Sequence, residues 1–377
     1  MNTASATPVG PAPVWDVING FTSYWALSAA LDLGLFDALA EEAGCGAGLD
    51  AGQLAAAVGA AGPGPVTVLA ETLVALDLLD AVGDRFRLTP VAERYLVSTA
   101  PASMAALVRY SPGPPAAWPG LADTVRTGGP EPSVTADLNA LYPALVGATG
   151  PTQAGVATAV AAELERRGWW PKQPTVVDLG CGSGAWATAL LHARPDGTVI
   201  AVDRPDVLPL AERAAGDAGL GDRVVPVAGD YLDAVLPVAS ADVVVLAHVL
   251  RAEPADRARR LLTRAIELAG ARGVVVVADY WRPDPPPDPP PARRHDVSAR
   301  EDDGRAEDED RGALCRAARH ELLLSLTMLA STAGLGVTAA ELRAWAEAAG
   351  AEVVGSFEPV PRQHVRLIRS RTPEALS

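Results

Sequence analysis

The stretch beginning at Thr175 concentrates residue types that bring main chain against a small charged ligand. Val176-Val177 reads as a short buried strand, Asp178-Leu179-Gly180-Cys181-Gly182-Ser183-Gly184 as a turn, and Ala185 to Ala193 as the helix it feeds. Three alternating glycines let backbone approach a ligand where any Cβ would collide. The spacing is Gly-x-Gly-x-Gly, not the Gly-x-Gly-x-x-Gly of the dinucleotide turn. Asp178, just before the glycines, repels a pyrophosphate and suits a cation such as an amino group. Thr198-Val199-Ile200-Ala201-Val202 is a second strand ending at Asp203, whose carboxylate can accept from both hydroxyls of a ribose. Asp222 to Val227 gives a third strand, followed by Gly229-Asp230-Tyr231. Asp230 can accept from an adenine amino group while the Tyr231 ring packs on its face.

Those acids need a scaffold that places strand ends side by side. Ala241 to Leu246 and Gly273 to Asp279 supply a fourth and a fifth strand. Strand–helix alternation with near-continuous valine runs implies a parallel sheet covered on both faces. The expected fold is therefore α/β: a Rossmann-like, doubly wound, mostly parallel sheet. Ligands of such sheets lie outside the carboxyl ends of the strands, where Asp178, Asp203 and Asp230 fall.

The region before this sheet has a different pattern. From Trp15 to Ala40 apolar residues recur at helical spacing, with a turn at Gly34, and further helices are expected over Leu49–Val58 and Val66–Leu79. Val82 to Thr89 reads as a two-stranded wing turning at Gly83-Asp84, completing a winged-helix outline. The segment from Val66 to Asp80 carries Glu71, Asp77 and Asp80 and no basic residue, which argues against DNA contact. Packing against a partner subunit suits these apolar helices better. The expected organisation is a loose arm over 1–13, a winged-helix-like domain over 14–110, a helical connector over 111–168 and a ligand-binding domain over 169–377. A Pro- and charge-rich insert at 283–313 reads as a solvated spacer, with a lid over the site as the alternative.

Composition excludes several classes. The chain has 377 residues, 49% of them hydrophobic, which is ample for buried cores. Its net charge of -15 argues against a nucleic-acid partner. Three scattered cysteines, Cys45, Cys181 and Cys315, make neither a disulfide framework nor a metal site. No apolar run approaches the roughly 18 residues of a membrane helix, and no signal-peptide pattern opens the chain, so a cytoplasmic enzyme is expected.

From about Trp15 to the C-terminus the sequence resembles the class I S-adenosylmethionine-dependent methyltransferases. More narrowly, it is similar to the two-domain small-molecule O-methyltransferases of plant phenolics and bacterial polyketide tailoring. Val-Val-Asp-Leu-Gly-Cys-Gly-Ser-Gly matches their first motif closely. The resemblance implies S-adenosylmethionine or S-adenosylhomocysteine as cofactor, with Asp178, Gly180, Gly182 and Gly184 at its methionine part. It implies Asp203 and Arg204 at the ribose, and Gly229, Asp230, Tyr231 and Ala247 around the rest. It also implies a homodimer through the N-terminal domain and an aromatic or polyketide-type acceptor. Trp281, Thr327 and Met328 are the candidate acceptor-lining residues, with core packing as their alternative.

The resemblance breaks at the base. The family's deprotonating histidine falls, on the stretch Ala247-His248-Val249-Leu250-Arg251-Ala252-Glu253-Pro254, at Arg251. Its partner glutamate falls, on Gly334-Leu335-Gly336-Val337-Thr338, at Gly336. A guanidinium cannot accept a phenol proton. Three readings stay open: an acceptor that needs no strong base, a different base with His248 as candidate, or non-methylating chemistry. In the last, which would be a hydroxylation, decarboxylation or cyclisation, Arg251 would stabilise a substrate anion or a polarised carbonyl.

Overall fold

The computed structural model describes residues 10–42, 48–111, 113–284 and 313–371. Residues 1–9 of the expected arm, Cys45 and residues 285–312 of the expected insert lie outside these. The chain divides into two compact units, residues 1–111 and 112–377.

The first unit begins earlier than its periodicity suggests, with helix α1 at Ala12–Asp32 and Pro in its first turn. Gly34 turns the chain into α2, Leu35–Glu42. Leu49 and Asp50, expected to be helical, form strand β1 (Leu49–Asp50) instead. Asp50 accepts from the Gln53 N–H while the Gln53 side chain accepts from the Asp50 N–H, and this capping box starts α3 (Ala51–Ala57) one residue later. Helix α4 (Pro63–Ala75) stops short of Leu79, because Asp77 takes a positive φ of 58° and turns the chain into strand β2, Leu79–Val82. Strand β3 (Arg85–Leu88) pairs with both β1 and β2 in a three-stranded sheet. Helices α5 (Pro90–Tyr95) and α6 (Ala105–Tyr110) complete the unit. Its core gathers Leu35, Phe36, Leu54, Leu73 and Leu79.

In the second unit α7 (Leu121–Thr127) precedes a long helix, α8, Pro132–Arg167. α8 fills most of the expected helical connector, with Pro143 and Pro151 inside it. Then follow β4 (Thr175–Leu179), α9 (Ala185–Ala193), β5 (Thr198–Asp203), α10 (Leu208–Asp217), β6 (Val224–Ala228) and β7 (Val243–Ala247). α11 (Ala255–Ala269), β8 (Val274–Asp279), α12 (Arg319–Thr332), α13 (Ala339–Ala348), β9 (Ala351–Val360) and β10 (Gln363–Ser370) complete the chain.

The seven strands lie in the order β6-β5-β4-β7-β8-β10-β9. The first five are parallel, and β10 runs antiparallel to β8 and β9. The order reverses between β4 and β7, which leaves a crevice at their carboxyl ends. Alternate residues of the strands explain the two cores. Val176, Val199 and Val245 pack with α8, α9 and α10, whereas Val177, Ile200 and Leu246 pack with α11 and α13. Being buried on both faces, β4, β5, β7 and β8 read as unbroken valine-rich runs. No helix among the described residues is long and apolar enough to cross a membrane.

Candidate functional site

At the end of β4 the chain is tied to β5. The N–H groups of Gly180 and Cys181 both donate to the Val202 carbonyl, at 2.8 and 3.1 Å. Asp203 completes the clamp: Oδ2 accepts from the Gly182 N–H and Oδ1 from the Arg204 N–H, each at 2.8 Å. Gly180 has φ 86°, and a Cβ there would sit 2.4 Å from Val249 Cγ1, so both backbone conformation and space exclude a side chain. Below this turn Asp178 is buried, and neither of its carboxylate oxygens has a hydrogen-bond partner. Burial, and then the charge of Asp203, push its pKa up to about 8. Burial raises Asp203 too, against the Gly182 and Arg204 N–H groups that favour its charge. An unpaired buried carboxylate is costly, and a cationic ligand group removes that cost. Cys181, whose thiol is raised by burial, is inert packing.

Around this turn stand the other expected cofactor residues. Arg204 Nη1 donates to Asn139 Oδ1 at 2.6 Å, Nη2 donates to Asp206, and the guanidinium lies 5.4 Å from the Tyr142 ring centre. Gly229 donates to the Asp203 carbonyl at 3.0 Å, and Asp230 follows it. Asp230 is already engaged: Oδ1 accepts from the Leu232 N–H at 2.8 Å and Oδ2 from Arg257 Nη2 at 2.9 Å. Burial works against its charge, but these two donors outweigh it and hold the carboxyl below its ordinary range. The Tyr231 hydroxyl donates to Glu253 Oε1, and Arg257 Nε donates to Glu253 Oε2 at 2.6 Å, so one ionic network fixes both Asp230 and the Tyr231 ring. Ala247 closes β7, the strand next to β4.

A second polar cluster lies at the ends of β7 and β8. His248 takes a positive φ of 60°, costly for a side chain with a Cβ, and is held there by its N–H donating to the Ala278 carbonyl at 2.8 Å. Its Nδ1 lies 3.5 Å from Asp279 Oδ1, and Arg251 Nε lies 3.5 Å from the same oxygen. Burial, and then the Arg251 charge, lower the His248 pKa against the pull of Asp279, leaving a neutral imidazole. Tyr280 sits among three groups: its ring centre is 5.2 Å from the Arg251 guanidinium carbon, 5.3 Å from the tilted His248 ring and 5.6 Å from the His320 ring on α12, edge to face. Gly336 brings the α12–α13 loop back, its N–H donating to the Arg251 carbonyl at 3.3 Å. The two positions where the family dyad would stand are therefore adjacent, and neither carries a base.

The expected acceptor-lining residues separate. Thr327 and Met328 are half-buried on α12, which packs on the short turn carrying Arg251. Trp281 instead joins the core with Val337 and Leu342, its indole N–H donating to the His364 carbonyl at 3.3 Å. Reading the sequence missed Asp279, Tyr280 and Tyr142. Asp279 had the same signal as Asp178 and Asp203, an acid near a strand's carboxyl end; Tyr142 had none. A hollow of about 810 Å³ between α8 and α9 is walled by Gly147, Ala154, Thr188 and His192 and reaches Ser183 of the glycine turn. Among the described residues no three His, Cys, Asp or Glu side chains are grouped to hold a metal ion.

Two family models match the chain: the O-methyltransferase dimerisation domain over residues 15–98 and the O-methyltransferase domain over residues 164–310. The chain is 32% identical over 291 residues to the N,N-dimethyltransferase OxyT of Streptomyces rimosus, covering 74% of this chain and 81% of that protein. It is 27% identical over 370 residues to a 3-hydroxy-5-methyl-1-naphthoate 3-O-methyltransferase of Streptomyces sahachiroi, covering 93% of each. Its fold matches human N-acetylserotonin methyltransferase, solved in complex with SAM, with a TM-score of 0.72 and 24% identity over 98% of this chain and 100% of that one.

Proposed function

The chain belongs to the O-methyltransferase family, and on that premise we propose that it moves a methyl group from S-adenosylmethionine to an oxygen of a small aromatic or polyketide-derived molecule. The observation that carries the cofactor is Asp178, a buried carboxylate with no partner at the head of a glycine turn. That donor set fits S-adenosylmethionine. Asp178 would hold the amino group, Asp203 would use its remaining lone pairs on the ribose, and Tyr231 would face the adenine beside Asp230. When bound, the cofactor supplies an electrophilic methyl on a sulfonium.

The protein's own part in the chemistry is orientation. Arg251 stands where the family base would stand, and a guanidinium donates protons to hydrogen bonds without taking one up. The acceptor oxygen is therefore placed in line with the methyl, a contribution that proximity alone makes large. The sequence S. sahachiroi relative acts on a hydroxynaphthoate and the S. rimosus relative on nitrogen, so acceptors of related enzymes are varied. Non-methylating chemistry gains no support from the fold or from the relatives.

The proposed enzyme acts in the cytoplasm as a homodimer. On α1, Val14, Trp15, Val17, Ile18, Phe21 and Trp25 form one exposed apolar stripe, with Phe21 70% exposed. Such a stripe inside a dimerisation-domain match suits a second copy of the chain. The activity is tested by incubating the enzyme with methyl-labelled S-adenosylmethionine and a panel of hydroxynaphthoates and phenols. The reading expects labelled methyl ethers or esters; a product oxidised or decarboxylated without label would contradict it.

A further inference from the structure

The cluster around Arg251 contains more unmet hydrogen-bonding capacity than a settled protein interior carries. Arg251 Nε and Nη1, Asp279 Oδ2, and His248 Nδ1 and Nε2 are all buried and have no hydrogen-bond partner among the described residues. Five such atoms on three neighbouring side chains are costly unless a ligand or solvent meets them. They sit at the carboxyl ends of β7 and β8, where ligands of open α/β sheets bind.

The charges in the cluster have distinct tasks. Asp279 Oδ1 is occupied by the Tyr280 N–H at 2.8 Å, and at 3.5 Å it orients the Arg251 guanidinium without consuming its donors. The Tyr280 ring faces the same guanidinium at 5.2 Å and limits its rotation. His248 is neutral and can present an N–H or a lone pair, whereas Arg251 can only donate. Among acceptors, an oxyanion meets a guanidinium best, since it accepts from Nη1 and Nε and carries the opposite charge, whereas a carbonyl or water accepts without that charge.

We propose that Arg251 is a substrate-binding residue that holds an oxyanion of the acceptor, so that the enzyme selects aromatic molecules carrying an ionised oxygen acid at the reacting end. The inference rests on the methyl-transfer reading and names the acceptor class that reading leaves open. It also accounts for the missing dyad: an acceptor that arrives ionised needs no base at residue 251.

The test is calorimetric titration of the full chain, saturated with S-adenosylhomocysteine, with 2-naphthoate and with the neutral alcohol 2-naphthalenemethanol. Wild type is expected to bind the carboxylate about tenfold or more tightly than the alcohol, the size of one charge-assisted hydrogen bond. Arg251→Gln should bring the two probes to equal affinity, and Arg251→Lys should keep part of the preference. Equal binding in wild type, a preference that survives in Arg251→Gln, or failure of both probes to bind overturns the inference. The preceding S-adenosylhomocysteine titration reports that each variant is folded. If that ligand itself fails to bind wild type, the methyl-transfer reading falls; if it binds and the preference is absent, only the oxyanion site falls.

Discussion

The backbone N–H of Gly336 donates to the carbonyl oxygen of Arg251 across 3.3 Å, holding the loop before α13 against the turn after β7. Gly336 has φ 71°, and a Cβ there would lie 2.5 Å from Ser325 Oγ. The loop is therefore built for a residue without a side chain. Gly336→Ala should cost about 1–3 kcal/mol of stability from backbone strain and overlap. Gly336→Glu should be no better, so Arg251→His with Gly336→Glu does not recreate a working dyad. Denaturant unfolding checks the first claim, and Ser325→Gly should recover only the overlap part of the loss.

Asp178 gives a pH signature. Its folded pKa of about 8 lies above the roughly 3.9 of an unfolded aspartate, so between those values the ligand-free folded chain keeps a proton that the unfolded chain has lost. Its contribution to stability is fully present below about pH 4 and is lost as pH rises through 8. Asp178→Asn should flatten that decline in a series of unfolding curves. Pairing with a cationic ligand group favours the ionised form, so cofactor binding at pH 7 should release about one proton in wild type and none in the amide variant. Calorimetry in two buffers of different ionisation enthalpy reads this directly.

Tyr231 separates ring from hydroxyl. Its hydroxyl donates to Glu253, so Tyr231→Phe should lose about 1–2 kcal/mol of stability while keeping the ring's face. S-adenosylhomocysteine affinity should then change little. Tyr231→Ala should weaken it by about tenfold or more, since stacking of a base on an aromatic ring is worth about 1–3 kcal/mol.

Much of this site is written locally in the chain, and those parts are the legible ones. Asp178, the glycines and Asp203 each follow a short valine-rich strand, so strand, turn and acid can be read together. The acceptor end is different. Asp279, Tyr280, Arg251 and Gly336 meet only because β7 and β8 are neighbours and the α12–α13 loop returns to them. The front of α8, Pro132 to Leu141, is hidden because Pro132 and Pro143 bracket it, yet Pro132 sits in its first turn and Pro143, just after Tyr142, lies inside it. Trp281 follows a strand end as a pocket residue would, but packing with Val337 and Leu342 turned it into the core.

The exposed face of α1 predicts the assembly. Phe21 and Trp25 are 70% and 55% exposed, and replacing both with glutamate should convert a dimer to a monomer without unfolding the second unit. Sedimentation velocity distinguishes the two states. A wild-type monomer would overturn the dimer, and an unchanged dimer in the double variant would place its interface elsewhere.

The central claim is that the glycine turn and its acids hold S-adenosylmethionine. It is tested most directly by titrating S-adenosylmethionine and S-adenosylhomocysteine into wild type and Asp203→Ala. The account predicts binding of both ligands by wild type and a loss in the variant of about a hundredfold or more, because the carboxylate clamps the turn and, on the proposed reading, would hold the ribose. Absence of binding to wild type, or full affinity in Asp203→Ala, would contradict it.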